Sequence, residues 1–138
     1  NENQVVLSRL VDLCARSKYI TEQIARYPVL LDELLDPHLF PESISKKDIA
    51  AELAARLGTA ELDGEERMRA IGQFQRAMMF RIAIADFSDR LPIMKVSDGL
   101  TWLAEVILEE ALQVAWRDLT ARHGVPQCTR DGVVHEAG

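Results

Sequence analysis

Long apolar runs and cysteine are both scarce in this sequence. Crossing a bilayer takes about 20 consecutive apolar residues, and no run approaches that length. The two cysteines, Cys14 and Cys128, show no Cys-x-x-Cys or Cys/His zinc spacing, a usage typical of a reducing compartment. The N-terminus also lacks the basic and then apolar regions of a signal peptide. We therefore expect a cytoplasmic protein without a membrane span.

Clustered basic residues are missing as well. Lysine and arginine number 16 against 22 acidic residues, the formal net charge is −6, and the longest basic run is Lys46-Lys47. A surface that binds phosphate groups needs Lys and Arg concentrated on one face. The composition therefore argues against a nucleic-acid partner, and we expect most charges to lie on solvated helix faces.

The common catalytic and nucleotide-binding motifs are absent too. The sequence contains no GxGxxG, GxxxxGK[ST], HExxH or GxSxG. His123 and Cys128 lie close in sequence, and so do His135 and Glu136, but a metal site needs three or four ligands. Neither pair has evident further partners, so we predict no metal site from them.

What the sequence does have is helical periodicity. Its 138 residues are 48% hydrophobic and 28% charged, as expected for one globular domain with a real core. Apolar residues recur at spacings of three and four, whereas alternating strand patterns are nearly missing. We predict an all-α fold, a helical bundle in which a long antiparallel helix hairpin forms the C-terminal half and shorter helices pack across it.

Capping and breaking residues set the predicted helix bounds. Ser17 and Ser45 are N-cap candidates, Pro28 ends one helix and starts the next, and Gly58 is a C-terminal stop. The predicted helices cover about 2–15, 18–27, 29–35, 45–57 and 63–87, with a last helix ending near 123. Residues 36–44 form a loop in which His38 is a surface or packing histidine.

The two long helices carry the clearest apolar stripes. The last helix is expected to start at the N-cap candidates Ser97 and Asp98, after the break at Leu91-Pro92, and to run for about 25 residues. The predicted buried stripes are Val6, Leu10, Leu13 and Cys14; Ile20, Ile24 and Tyr27; Met68, Ile71, Phe74, Met78, Ile82 and Ala85; and Leu100, Leu103, Ile107, Ala111, Val114 and Leu119.

Carboxylates are the remaining candidates for chemistry, because paired Asp residues often hold Mg²⁺ in phosphoryl-transfer sites. The candidates are Asp86 with Asp89, then Asp32, Glu33 and Asp36, and finally Asp98. Each group lies at a helix end or on a short helix, where a solvated side chain or a cap is the simpler interpretation. We therefore assign no catalytic, cofactor-binding or metal residue, although a small helical enzyme built on these carboxylates is an alternative hypothesis.

Three separated segments resemble the bacterial glutamate-ammonia ligase adenylyltransferase family. They are SKYITEQIARYPVLLDELLDPHLF at 17–40, GQFQRAMMFRIAIAD at 72–86, and LPIMKVSDGLTWLAEVILEEALQVAW at 91–116, the last preceded by FRIAIADFSDRLP. The similarity covers most of residues 5–124 in the family's order. Helical amphipathicity alone would not dictate such an agreement.

The resemblance implies a bifunctional enzyme that transfers AMP from ATP to a tyrosine of glutamine synthetase and removes it again. Each half of such an enzyme has a helical region and a nucleotidyltransferase domain, with a GKLGG-like loop and Ser-Asp-x-Asp carboxylates that hold Mg²⁺. None of these motifs occurs here, so no catalytic residue carries over. The chain is similar to the helical region before the second nucleotidyltransferase domain, in the half credited with adenylylation.

The resemblance also sets the expected domain division and partners. We expect a helical domain at 1–124, then a linker or the truncated start of the nucleotidyltransferase domain at 125–138, with Asn1 and Gly138 as the ends of a fragment. The implied partners are glutamine synthetase, the PII regulatory protein and the adjacent nucleotidyltransferase domain. The alternative is a freestanding helical interaction module with no enzymatic parent, which would offer its apolar stripes to a partner helix.

Overall fold

The predicted all-α class is confirmed. A computed structural model describes residues 2–35, 45–58, 62–88, 91–130 and 132–136, so residues 36–44, for which a loop was predicted, lie outside the described residues together with Asp89. The elements are α1 (Glu2–Arg16), α2 (Lys18–Arg26), a 3₁₀ turn (Pro28–Leu30), α3 (Leu31–Leu35), α4 (Lys46–Leu57), α5 (Gly64–Phe87), α6 (Ile93–His123), β1 (Gln127–Arg130) and β2 (Val133–Glu136).

Side-chain caps account for the predicted starts of α2 and α4. Ser17 Oγ accepts a hydrogen bond from the Ile20 amide at 3.2 Å, and Ser45 Oγ accepts one from the Asp48 amide at 3.2 Å. Each bond satisfies an amide that has no partner within its own helix. These contacts confirm the sequence signals that placed the starts of α2 and α4.

α4 ends before residues 59–61, and α5 begins after them. Asp63 and Glu66 form a reciprocal capping box, in which Asp63 Oδ1 accepts from the Glu66 amide at 2.7 Å and Glu66 Oε2 accepts from the Asp63 amide at 3.3 Å. Gly58 ends α4 with a φ of 62°, a backbone conformation that residues with a Cβ rarely adopt. Both the predicted start and the predicted stop are confirmed.

The predicted start of the last helix was wrong. α6 begins at Ile93, because the carbonyl of Pro92 already accepts from the amides of Lys95 at 2.8 Å and Val96 at 3.1 Å. Proline breaks a helix that approaches it but suits the first turn of a helix that leaves it. Ser97, taken as a cap, therefore lies inside the helix, where its carbonyl accepts from the Thr101 hydroxyl.

α5 and α6 run antiparallel and carry most of the main core. The first turn of α5 meets the second half of α6 through an ion pair between Arg67 and Glu110 at 2.8 Å, and α4 packs against both helices. The buried residues of this core are Ile49, Leu53, Leu57, Ile71, Phe74, Met78, Ile82, Ala85, Leu91, Val96, Leu103 and Val106. Most of the predicted α5 stripe is confirmed, but Met68 is 47% exposed and was wrongly placed in it.

A second core lies on the opposite face of α5 and was not predicted as such. Ala77, Phe80 and Ile84 of α5 pack there against Leu13 of α1 and Ile20 of α2, together with Leu30. A helix with two buried faces shows little amphipathicity, because its own apolar residues are spread over both faces instead of along one stripe. The sequence pattern therefore revealed only one of its two stripes.

The C-terminal tail forms a β-hairpin, which the sequence did not predict. β1 pairs with β2 in antiparallel register from Gln127 opposite Glu136 to Arg130 opposite Val133. Gly132 lies in the turn with a φ of 79°. All eight strand residues are exposed on both faces, so the hairpin adds nothing to either core.

Candidate functional site

The carboxylates singled out from the sequence do not form one cluster in the described structure. Asp86 is exposed near the end of α5, and its expected partner Asp89 lies outside the described residues. Asp98 lies within α6, 3.9 Å from Lys95 on the same helix. Such exposed i,i+3 pairs contribute little to stability. Asp32 is exposed, whereas its neighbour Glu33 is largely buried and belongs to an ion-pair network.

That network joins three helices. Glu33 of α3 accepts from Arg81 Nε of α5 at 2.6 Å, and Arg81 Nη1 lies 3.1 Å from both carboxylate oxygens of Glu52 on α4. Arg56 of α4 lies 3.0 Å from Glu52 and 3.6 Å from Glu33. The side chains of Arg81 and Glu33 are only 15% and 16% exposed. The network therefore positions α3 against α4 and α5.

Aromatic rings hold the guanidinium groups beside this network. The Arg56 guanidinium lies 5.4 Å from the centre of the Phe74 ring, and that of Arg76 lies 4.6 Å from the centre of the Tyr27 ring. Such stacking is attractive because the ring face carries negative charge. Arg56 and the Arg76–Tyr27 pair border a crevice of about 260 Å³. Its lining residues are Tyr27, Val29, Leu30, Glu33, Arg56, Gln73, Arg76 and Ala77.

We find no residue set in the described part of the chain that fits a metal ion. No group of three or more His, Cys, Asp or Glu residues comes together there. The hairpin register places Cys128 opposite His135, and both residues are exposed. Mg²⁺ takes oxygen ligands in a near-octahedral arrangement, and the described carboxylates provide no such arrangement.

Two further ion pairs attach α6 to its neighbours. Arg67 and Glu110 are only 18% and 19% exposed, so their contact at 2.8 Å is well shielded from water. Lys46 of α4 lies 2.8 Å from Glu105 and is about half exposed. The hydrogen bond and the charge of Glu105, with a smaller effect from Glu109, raise the pKa of Lys46.

The most unusual feature of the described surface is an apolar stripe on α6. We call its four residues, Leu108, Leu112, Trp116 and Leu119, the outer stripe. They are 68%, 69%, 40% and 54% exposed, and their spacing of three and four places them on one helix face. Beside them lies an apolar groove of about 510 Å³, lined by Leu112, Gln113, Trp116 and Arg117.

Sequence reasoning missed the outer stripe and wrongly placed two leucines of α6, one of them in the stripe, among the buried residues. Leu100 and Leu119 were predicted to be buried but are 39% and 54% exposed. Of the remaining predicted stripe, Leu103 is buried and Ile107, Ala111 and Val114 are half-buried. The sequence did contain a signal, since leucine recurs on two opposite faces of this helix, which one partner cannot cover.

α1 also exposes apolar side chains. Val5, Leu7 and Val11 are each 60% exposed, while Leu13 enters the second core and the predicted partners Leu10 and Cys14 are half-buried. The side chain of Val6 lies outside what the structure describes. None of the helices among the described residues is long and apolar enough to span a membrane.

Residues 7–135 match the sequence pattern of the glutamate-ammonia ligase adenylyltransferases. The chain belongs to this family. The expected resemblance is thus confirmed, and the match includes nearly all of the hairpin as well as the helices.

Individual relatives in this family are similar over nearly the whole chain. Bifunctional glutamine synthetase adenylyltransferase/adenylyl-removing enzymes from Thioalkalivibrio sulfidiphilus and Pseudomonas putida are 44% and 48% identical to it over 99% of its length. The corresponding enzyme from Pseudomonas aeruginosa is 48% identical over 91%. The chain spans only 13–14% of the length of these relatives.

Proposed function

We propose that this chain is a helical region of a cytoplasmic enzyme that controls glutamine synthetase by transferring AMP from ATP to one of its tyrosines. The other half of that enzyme would remove the AMP. The observation that carries the proposal is identity of 44–48% over 99% of the chain to bifunctional enzymes of that description. Agreement of this extent supports a shared role within a larger polypeptide.

The role of this region in the proposal is mechanical. Ion pairs and two cores fix the positions of the helices, while apolar side chains on α1 and α6 stay open to contact. A rigid body with unpaired apolar faces suits positioning of a catalytic domain or of a protein substrate. It also suits transmission of signals from the PII regulatory protein and from glutamine, because packed helices can change arrangement as a unit.

Catalysis in this proposal takes place outside the described residues. Mg²⁺ and ATP would bind in the nucleotidyltransferase domain, where the metal ion supplies charge stabilisation to the transferred phosphoryl group. The residues described here contribute no ligand and hold no proton in that step. Their contribution is to keep that domain and glutamine synthetase in a productive arrangement.

The test compares glutamine synthetase adenylylation by three proteins in the presence of ATP and Mg²⁺. They are this chain alone, the parent polypeptide, and the parent with residues 1–124 deleted. We expect adenylylation by the parent only, with the deleted form slower or insensitive to PII and glutamine. A normal rate and normal regulation in the deleted form would contradict the mechanical role. Activity of the chain alone would make Asp86, Asp89 and Asp98 the first candidates for catalytic residues.

The second candidate is a freestanding helical interaction module. The observation that favours it is the open apolar surface of α6, which could receive a partner helix. A coding sequence that stops after Gly138 would support the module. A continuation with GKLGG and Ser-Asp-x-Asp motifs would support the enzyme.

A further inference from the structure

The outer stripe is separate from the face of α6 that enters the core. With 100° between successive residues, Leu108, Leu112 and Leu119 point away from the direction shared by Leu103 and Val106. Leu103 and Val106 are 2% and 5% exposed, whereas the three outer leucines are 54–69% exposed. The second half of α6 therefore carries an apolar face that no described helix covers.

Such a face is uncommon on a free surface. Single exposed leucines need no explanation, but contiguous apolar patches mark sites of protein contact. Here three leucines and a tryptophan lie along about three turns of one helix, beside a groove lined by the same residues. Tryptophan is also the residue type most enriched among the energetically dominant contacts of interfaces.

The hairpin that follows α6 lacks the neighbours that a stable strand pair needs. An isolated two-stranded hairpin is only marginally stable in water, yet β1 and β2 are exposed on both faces and have no further strand on either edge in the described structure. Val133 and Val134 are 56% and 58% exposed. The hairpin thus has the properties of a strand pair taken from a larger sheet, and the family match extends through it to residue 135.

The connection between helix and hairpin is short enough to place that sheet beside the stripe. Residues 124–126 link α6 to β1, and three residues span at most about 11 Å. Leu119 lies four residues before the helix end and Leu108 fifteen, or about 6 and 23 Å at 1.5 Å per residue. A domain of ordinary size is about 30 Å across, so one that begins at the hairpin reaches the whole stripe.

We propose that the outer stripe of α6 is the docking surface for the sheet-containing domain to which the β1–β2 hairpin belongs. This inference rests on the proposed function, under which that domain is the nucleotidyltransferase domain of the same polypeptide. Leu108 and Leu112 form the apolar centre of the contact, and Trp116 fills the groove edge closest to the hairpin.

Trp116 provides a direct readout that needs no activity. The chain has two tryptophans, and replacing the half-buried Trp102 by phenylalanine leaves Trp116 as the only tryptophan fluorophore of the chain. In the parent, its remaining tryptophans are replaced by phenylalanine as well. We expect acrylamide to quench Trp116 readily in the chain alone and at least threefold less in the parent, with a blue-shifted emission.

Substitutions then test whether the stripe itself makes the contact. In the parent with Trp116 as reporter, Leu112→Asp should restore quenching to the level of the chain alone. The matched control is Met94→Gln, which alters a similarly exposed residue, 70% against 69%, near the other end of the same helix. The control should leave Trp116 protected, and helical circular dichroism of both variants checks that the helices remain folded.

Three outcomes would overturn the inference. Equal quenching in the chain and the parent means that the following domain does not cover the stripe. Concentration-dependent protection in the chain alone, with a dimer in sedimentation, assigns the stripe to a second copy. Protection that appears only when glutamine synthetase is added assigns it to the protein substrate.

Failure of the inference and failure of the proposed function remain distinguishable. If Trp116 is protected in a parent that does not adenylylate glutamine synthetase, the docking surface is supported and the proposed function is contradicted. An active parent with Trp116 unprotected would do the reverse.

Discussion

The two halves of α6 have similar apolar content and very different burial. In residues 93–107, Val96, Leu103 and Val106 are buried against α4 and α5. In residues 108–123, all of which the structure describes, no residue is buried. Both halves contain leucine at helical spacing, so apolar content does not explain the difference.

The difference comes from the neighbours. α5 begins at Gly64, and the Arg67–Glu110 pair shows that its first turn lies beside the middle of α6. α4 reaches α6 through Lys46, which contacts Glu105 in the first half. The exposed leucines of the second half lie on the face of α6 that points away from both helices, whereas Ala111 and Val114 on its inward face are half-buried. A side chain is stabilising only where something else excludes water from it.

The largest expected effect lies in the buried half. Leu103→Ala should lower the free energy of unfolding by about 2–5 kcal/mol, because the side chain is 2% exposed and its removal leaves a cavity. Urea denaturation followed by circular dichroism measures this. A loss below about 1 kcal/mol would mean that the first half of α6 is not the core element described here.

The next effect lies at the border of the two halves. Glu110→Gln should cost about 1–3 kcal/mol in the same assay, because it removes a charged hydrogen-bond partner from Arg67 in a site shielded from water. Glu65→Gln, which alters an exposed pair with Arg69, is the control and should cost less than about 0.5 kcal/mol. Equal losses would indicate that burial of the Arg67 pair contributes nothing.

A smaller effect concerns the helix start that faces the exposed half. Asp63→Ala should cost about 1 kcal/mol, because it removes the cap that satisfies the Glu66 amide. Asp63→Asn keeps a capping oxygen and should retain most of the stability. If the two variants unfold at the same urea concentration, the capping box does not stabilise α5.

The exposed half should respond least to truncation in the chain alone. Leu112→Ala should change the unfolding free energy by less than about 0.5 kcal/mol, because this leucine is 69% exposed. Measured beside Leu103→Ala, it tests the comparison directly, since both variants remove the same atoms from one helix. A loss comparable to that of Leu103→Ala would show that the outer stripe is already covered in this chain.

Lys46 gives a pH-dependent version of the same comparison. Its pKa is raised in the folded protein by Glu105, with a smaller contribution from Glu109. The stability from this contact is therefore fully present below the ordinary pKa of 10.5 and is lost as pH rises through the higher folded value. Lys46→Met should lower the urea midpoint slightly at pH 8 and less at pH 11, and an equal decrease at both would contradict the ion pair.

Local signals in the sequence were sufficient for most helix bounds. Ser17, Ser45 and Gly58 act within one turn of chain, so their effect does not depend on distant residues. The start of α6 was predicted wrongly because Pro92 and Ser97 are competing start signals. The carbonyl of Pro92 accepts the first helical hydrogen bonds, so the helix begins one turn before Ser97. The hairpin was missed because its strands are short and exposed on both faces, which leaves no alternation to detect.

The candidate site was less accessible to sequence reasoning. Glu33 was noticed only as one member of an acidic group, whereas its partners Arg81, Glu52 and Arg56 come from two other helices. Contacts across 29 and 48 positions of sequence follow from how helices pack, and no local pattern encodes them. The family, in contrast, could be inferred from three segments alone.

The sequence by itself determined the helical class, most helix ends and the family, because caps, breakers and apolar spacing act over a few residues. Only the tertiary structure decided which apolar faces are buried. α5 has neighbours on two faces and buries both, whereas α6 has its neighbours on one face and leaves Leu108, Leu112 and Leu119 exposed on the other. Burial depends on what lies opposite a side chain, and that is a property of the packing rather than of the segment.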